Sequence, residues 1–79
     1  MAPHSFRLAM VQVESEAIEE IGYDAGRSIL FVRFAHGGWY RYFEVRAEIY
    51  EAFVSAESHG RYFHEHIRDR YRYLRSRAR

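Results

Sequence analysis

The sequence predicts an α+β fold: a three-stranded antiparallel β-meander followed by two α-helices packed on one face (β-β-β-α-α). Three observations predict it. Runs rich in β-branched and aromatic residues fill residues 17–45, punctuated by "DAGR" and "HGG". From Arg46 the apolar residues recur with a helical period instead. Finally, 79 residues without internal repeats have room for one core only. A core of that size leaves a net stability of about 3 to 5 kcal/mol. With no cysteine to form a disulfide, Trp39, seven Tyr and six Phe must do most of the burying.

Taken in order, residues 1–10 show no clear period and are expected to form a flexible N-terminal arm. The domain proper is expected over 11–74, with a basic C-terminal tail at 75–79. "AIEEIGYD" and "SILFVRFA" read as strands joined by a turn in which Asp24 and Gly26 supply the turn chemistry. "WYRYFEV" is the third strand, reached through "HGG". Ile49, Tyr50, Phe53 and Val54 mark one face of a helix over roughly 46–57. Ser58 is placed to cap a second helix, along which Phe63, Ile67 and Tyr71 form an i, i+4, i+8 stripe. The closing "YRYLRSRAR" has neither glycine nor proline and is expected to extend that helix or fray.

The turn at "HGG" decides which rings of "GGWYRYFEV" are core. A two-residue turn at His36-Gly37 would set Val32 opposite Arg41 and drive that guanidinium toward the helices, a costly burial. A three-residue turn over His36-Gly37-Gly38, with a glycine in the left-handed conformation, sets Phe34 opposite Tyr40 and Val32 opposite Tyr42. It makes Arg33 and Arg41 like-charged neighbours on the outer face, a repulsion that water screens. The three-residue turn is therefore expected. Tyr40 and Tyr42 face the helices, while Phe31, Arg33, Trp39, Arg41 and Phe43 share the other face.

Charge is unevenly spread along the chain. Residues 1–58 hold five Arg and nine acids, net −4, whereas 59–79 hold seven Arg and two acids, net +5. An acidic body with a basic end suggests an anionic partner. All twelve basic residues are Arg, the side chain suited to phosphate and to stacking on bases. The N-terminal stretch has no unbroken apolar run, so neither a signal peptide nor a membrane span is expected, and the lack of cysteine fits the cytoplasm. His59, His64 and His66 cluster near Glu65, but residues 64 and 66 point to different sides of a helix and neither has a histidine at i+4. No metal, no cofactor and no nucleophile motif are expected, and hence no enzyme.

"IGYD" at 21–24, "VRF" at 32–34, "GGWYRYFEV" at 37–45, "EIYEAF" at 48–53 and "SHGRYFHEHIRDRYRY" from Ser58 together resemble the KTSC domain family. The likeness covers about residues 11–74. It implies that Tyr23, Tyr40, Tyr42, Tyr62, Phe63 and Ile67 are the family's motif residues, mainly structural, with the Tyr-x-Tyr of Tyr40 and Tyr42 as its hallmark. The family also occurs as a C-terminal extension of some lysyl-tRNA synthetases, which implies nucleic-acid binding and no catalytic activity. The sequence departs from the family pattern at Arg46, where a proline is common, and at His64, where Asn usually stands.

The expected function is accordingly a small non-catalytic binding module for nucleic acid, RNA above DNA. Phe31, Trp39, Arg33 and Arg41 would stack and clamp unpaired bases on the sheet. Arg61, Arg68, Arg70, Arg72 and Arg75, with Arg77 and Arg79, would track phosphates from an Arg-rich C-terminal helix. The alternative is a protein-interaction or homodimerisation module using the same aromatic face.

Overall fold

The structure, a computed structural model, describes residues 10–76. Its elements are β1 (Met10–Gln12), β2 (Ile18–Asp24), β3 (Ile29–Phe34), β4 (Trp39–Tyr42), α1 (Ala47–Ser55), α2 (His59–His66) and β5 (Tyr73–Ser76). The strands form a single antiparallel sheet in the order β1-β2-β3-β4-β5. The α+β class, the antiparallel meander and the two helices agree with the sequence reading. The sheet has five strands rather than three, because a short strand is added at each edge.

β5 replaces the expected helical extension. The N–H groups of Ile67 and Arg68 both donate to Phe63 O, at 3.0 and 2.9 Å, so the helical ladder ends there. Arg70 N–H then donates to Ile67 O and turns the chain. From Phe43 N–H to Arg72 O (3.0 Å) onward, the chain runs back along β4. Without it β4 would be an unpaired edge, and one flank of the Tyr42 ring would be open to water. Arg75 and Ser76, the start of the expected basic tail, belong to this strand. Met10 belongs to β1, while the rest of the expected arm, together with Arg77 and Arg79, lies outside the described residues.

Turn chemistry explains the inner hairpins. Asp24 Oδ1 accepts from Gly26 N–H and Arg27 N–H, which closes the β2–β3 turn. Before β2, Ser15 Oγ accepts from Ala17 N–H (3.2 Å) and Ile18 N–H (3.3 Å). The β3–β4 loop has three residues, but they are Ala35-His36-Gly37: Phe34 pairs with Gly38, and Gly37 takes φ 107. The register thus differs by two residues from the expected one, setting Leu30 opposite Tyr42 and Val32 opposite Tyr40. A shift of two preserves every face, so Tyr40 and Tyr42 do lie on the helix side. The expected opposition of Arg33 and Arg41 does not occur. Gly38 has a separate role, since a Cβ there would stand 3.0 Å from the Tyr40 ring and 3.4 Å from Arg75 Nε.

The core lies between the β2–β3–β4 part of the sheet and the helices. Ile18, Ile21, Leu30, Val32, Val45, Phe53 and Ile67 are fully buried there, with Tyr42 nearly so. Ser58 caps α2 by accepting from Arg61 N–H at 3.2 Å. Tyr23 stacks on Tyr50 at 5.0 Å, and its hydroxyl donates to Val45 O, tying β2 to the lead-in of α1. α1 packs on α2 and β2, so the helices roof one half of the sheet and leave the β4–β5 half partly open.

Candidate functional site

On the face away from the helices, the strand register arranges alternating charge and ring. Arg33 stands opposite Trp39, Phe31 opposite Arg41, and Phe43 opposite Arg72 one step beyond the ladder. Aromatic and guanidinium groups therefore occupy a checkerboard. Trp39 and Phe31 lie on its diagonal, a separation of roughly 7 Å. Gly22, the other neighbour of Phe31, adds no side chain. All six of these side chains except exposed Arg72 are half-buried, and Leu74, beside Arg41, is half-exposed.

The arginines of this face differ in what they can offer. A bulge at Glu19 breaks the β2–β3 register, and Glu19 and Glu20 both approach Arg33, at 3.3 and 3.7 Å. Arg33 also lies over the Trp39 ring at 5.4 Å, so its charge is largely compensated within the fold. Among the described residues Arg41 has no carboxylate partner, and its buried Nε donor meets no acceptor. Arg72 rests over Phe43 at 5.6 Å. Of the three arginines on this face, Arg41 and Arg72 have no ion-pair partner among the described residues.

The remaining predicted arginines do not join them. α2 contains only Arg61, which lines a groove with Glu57 and Glu65 at the α1–α2 junction. Arg70 is exposed in the turn after α2. Arg75 projects to the helix side, over the Tyr40 ring at 5.9 Å. The expected continuous Arg-rich helix is therefore absent, because the chain turns at 67–72 and distributes these side chains over separate surfaces. The histidines are engaged elsewhere: His59 Nε2 meets Val54 O at 3.1 Å, and His64 Nδ1 meets Arg68 at 3.1 Å.

A second feature, missed in the sequence, is a cleft of about 400 Å³ on the helix side at the open β4–β5 half. Its floor is a chain of rings. Tyr40 meets Phe34 edge-on at 5.1 Å, Tyr73 contacts Tyr40 and Tyr42 at 5.6 Å each, and Phe63 closes on Tyr42 at 5.7 Å. Arg68, Asp69 and His36 form the rim. The signal was present in "YRYLRS", which alternates like a strand, but no glycine or proline separates it from α2.

Burial pushes the Tyr42 phenol above the ordinary tyrosine value of 10.0; Tyr40 and Tyr73 add to the effect and Arg68 opposes it. A raised folded-state value means that the stabilisation is complete below the unfolded value and is lost as pH rises toward the folded one. The chain has no lysine, and Arg keeps its charge, so tyrosines dominate this alkaline range. The melting temperature is expected to be level between about pH 8 and 9 and to fall above about pH 10. Tyr42→Phe should fall less steeply, and a wild-type profile level throughout would contradict the assignment.

Comparisons with known proteins accompany this geometry. The family model described as "KTSC domain" matches residues 14–71. A protein of Tsukamurella paurometabola is 43% identical over 63 residues, 80% of this chain and 94% of its own length. One from Stutzerimonas stutzeri is 38% identical over 66 residues, 82% of this chain and 93% of its own. A lysine–tRNA ligase of Trichormus variabilis is 31% identical over 64 residues, which are 81% of this chain and 11% of that protein. The crystal structure of a KTSC domain protein from Yersinia pestis aligns with a TM-score of 0.86 and 30% identity, covering 89% of this chain and 99% of that one.

Proposed function

This chain belongs to the KTSC domain family, and we propose that it is a non-catalytic module that binds single-stranded nucleic acid, RNA in preference, on the outer sheet face. The observation that carries the reading is the checkerboard of Phe31, Trp39, Arg41 and Arg72. Its diagonal rings suit successive unstacked bases of an extended strand, and its two uncompensated guanidinium groups suit the phosphates between them. The similar segment within a lysine–tRNA ligase, a protein that acts on an RNA by name, supports RNA over DNA. Among the described residues no helix is long and apolar enough to cross a membrane. We place the module in the cytoplasm, a reducing compartment that suits a chain without cysteine.

Trp39 is the only tryptophan, so its fluorescence reports this face directly. Titration with oligouridylate is expected to quench it. Trp39→Ala should leave the fold intact and weaken oligouridylate binding by about 1 to 3 kcal/mol, measured by anisotropy of a labelled strand. With Arg41 and Arg72 each neutralising one phosphate, the log–log salt slope should lie near −1.4, and Arg41→Ala should reduce its magnitude by about 0.7. Half-exposed Leu74 beside Arg41 favours a second reading, a protein contact on the same face. If Trp39→Ala changes self-association in sedimentation and oligouridylate leaves the fluorescence unmoved, that second reading replaces the first.

A further inference from the structure

The cleft on the helix side contains a chemistry that a purely structural set of rings does not require. We propose that it is a binding site for a nucleoside monophosphate group, distinct from the outer face and independent of it. Its volume of about 400 Å³ falls at the small end of ligand sites, the size of one nucleotide rather than of a strand.

Three features of the lining each select a part of such a ligand. The rings of Phe34, Tyr40 and Tyr73 line the cleft and give a flat group aromatic surface to pack against. Tyr73 is half-exposed, so a ligand ring laid on it removes apolar surface that the fold leaves in water. Arg68 stands at the rim with one guanidinium nitrogen placed 3.1 Å from His64 Nδ1, a contact that restrains the side chain. A restrained guanidinium is suited to a phosphate. His36, stacked on Phe34 at 5.4 Å, is a further polar group of the lining.

Asp69 supplies the acceptor. A simple dianion is repelled by the Asp69 carboxylate on the rim, and a neutral ring leaves Arg68 without an anion. A ligand that satisfies the whole lining must bring a flat ring, an anionic group and a hydrogen-bond donor. A nucleotide has all three, the donor being a ribose hydroxyl or an exocyclic amine. The same chemistry is found in a free nucleotide and in the 5′-phosphorylated end of a strand.

The test is NMR titration of the full chain with adenosine 5′-monophosphate, adenosine and inorganic phosphate. The monophosphate is expected to shift Tyr40, Tyr73 and Arg68 signals while the Trp39 indole stays in place. Adenosine or phosphate alone should bind roughly tenfold or more weakly, as should the monophosphate to Arg68→Glu or Tyr73→Ala. Both substitutions are at the cleft's open side, and an unchanged amide spectrum verifies their fold. Absence of cleft shifts at about 5 mM monophosphate, or shifts that persist equally in both variants, would overturn the proposal. A short strand with a 5′-phosphate, compared with its 5′-hydroxyl counterpart, tells the two sources apart: phosphate-dependent cleft shifts identify a strand end, and binding of the monophosphate alone identifies a free nucleotide. Trp39→Ala should leave monophosphate binding intact, so failure here is separable from failure of the outer-face reading.

Discussion

Phe53→Ala is expected to leave most of the protein unfolded at room temperature. The ring is fully buried and stacks on Tyr62 at 5.6 Å while also meeting Phe63 at 6.3 Å, so it joins α1 to α2 over the sheet. Truncation of such a ring costs about 3 to 5 kcal/mol, which is the whole net stability expected of a domain this small. Chemical denaturation followed by far-ultraviolet circular dichroism measures it, with Phe53→Leu as the milder reference. A wild-type midpoint for Phe53→Ala would mean that α1 is not docked as described.

Tyr42→Ala ranks beside it, at about 3 to 5 kcal/mol. Only 3% of Tyr42 is exposed, and its ring touches Phe63, Tyr40 and Tyr73. The substitution removes the contact between β4, β5 and α2 at once, so β5 should lose amide protection first. Tyr42→Phe should retain most of the stability, since the ring supplies the packing. The comparison with Trp39→Ala tests the register itself. If Trp39→Ala unfolded the domain and Tyr42→Ala did not, the two faces of β4 would be exchanged.

The inner hairpins and both helices were legible because each has a local cause: Asp24 in its turn, the β-branched and aromatic run of "SILFVRFA", Ser58 at its cap. The faces of β4 were legible because a buried unpaired Arg41 is costly whatever the loop. Its register was not, since Ala35-His36-Gly37 and His36-Gly37-Gly38 are both three-residue loops that bury the same rings. The glycine pair hid two different constraints, a left-handed φ at Gly37 and closeness to the Tyr40 ring at Gly38. β1 is too short to show a period. β5 does alternate, but Ile67 continues the stripe of α2 in sequence while in space it ends the helix. The outer-face group of Phe31, Arg33, Trp39 and Arg41 could be read from parity alone. The cleft could not, because Tyr73 reaches Tyr40 and Tyr42 only through the pairing of β5 with β4, and Arg68 is placed by the end of α2.

The order of the strands also fixes where the module can be held. Ser76 pairs with Trp39 at the end of the sheet that bears the 35–37 loop, while Met10 pairs with Gly22 toward the other end and on the far edge. The two residues stand on opposite edges of the sheet, two rows apart along the strands. A sensor surface or bulky reporter coupled at Ser76 would crowd Trp39, whereas one coupled at Met10 would crowd Phe31 across Gly22 and leave the helix-side cleft accessible. Immobilisation by one edge and then the other is thus a built-in orientation control, in which an outer-face ligand should be hindered through both attachments and a cleft ligand should be seen through Met10.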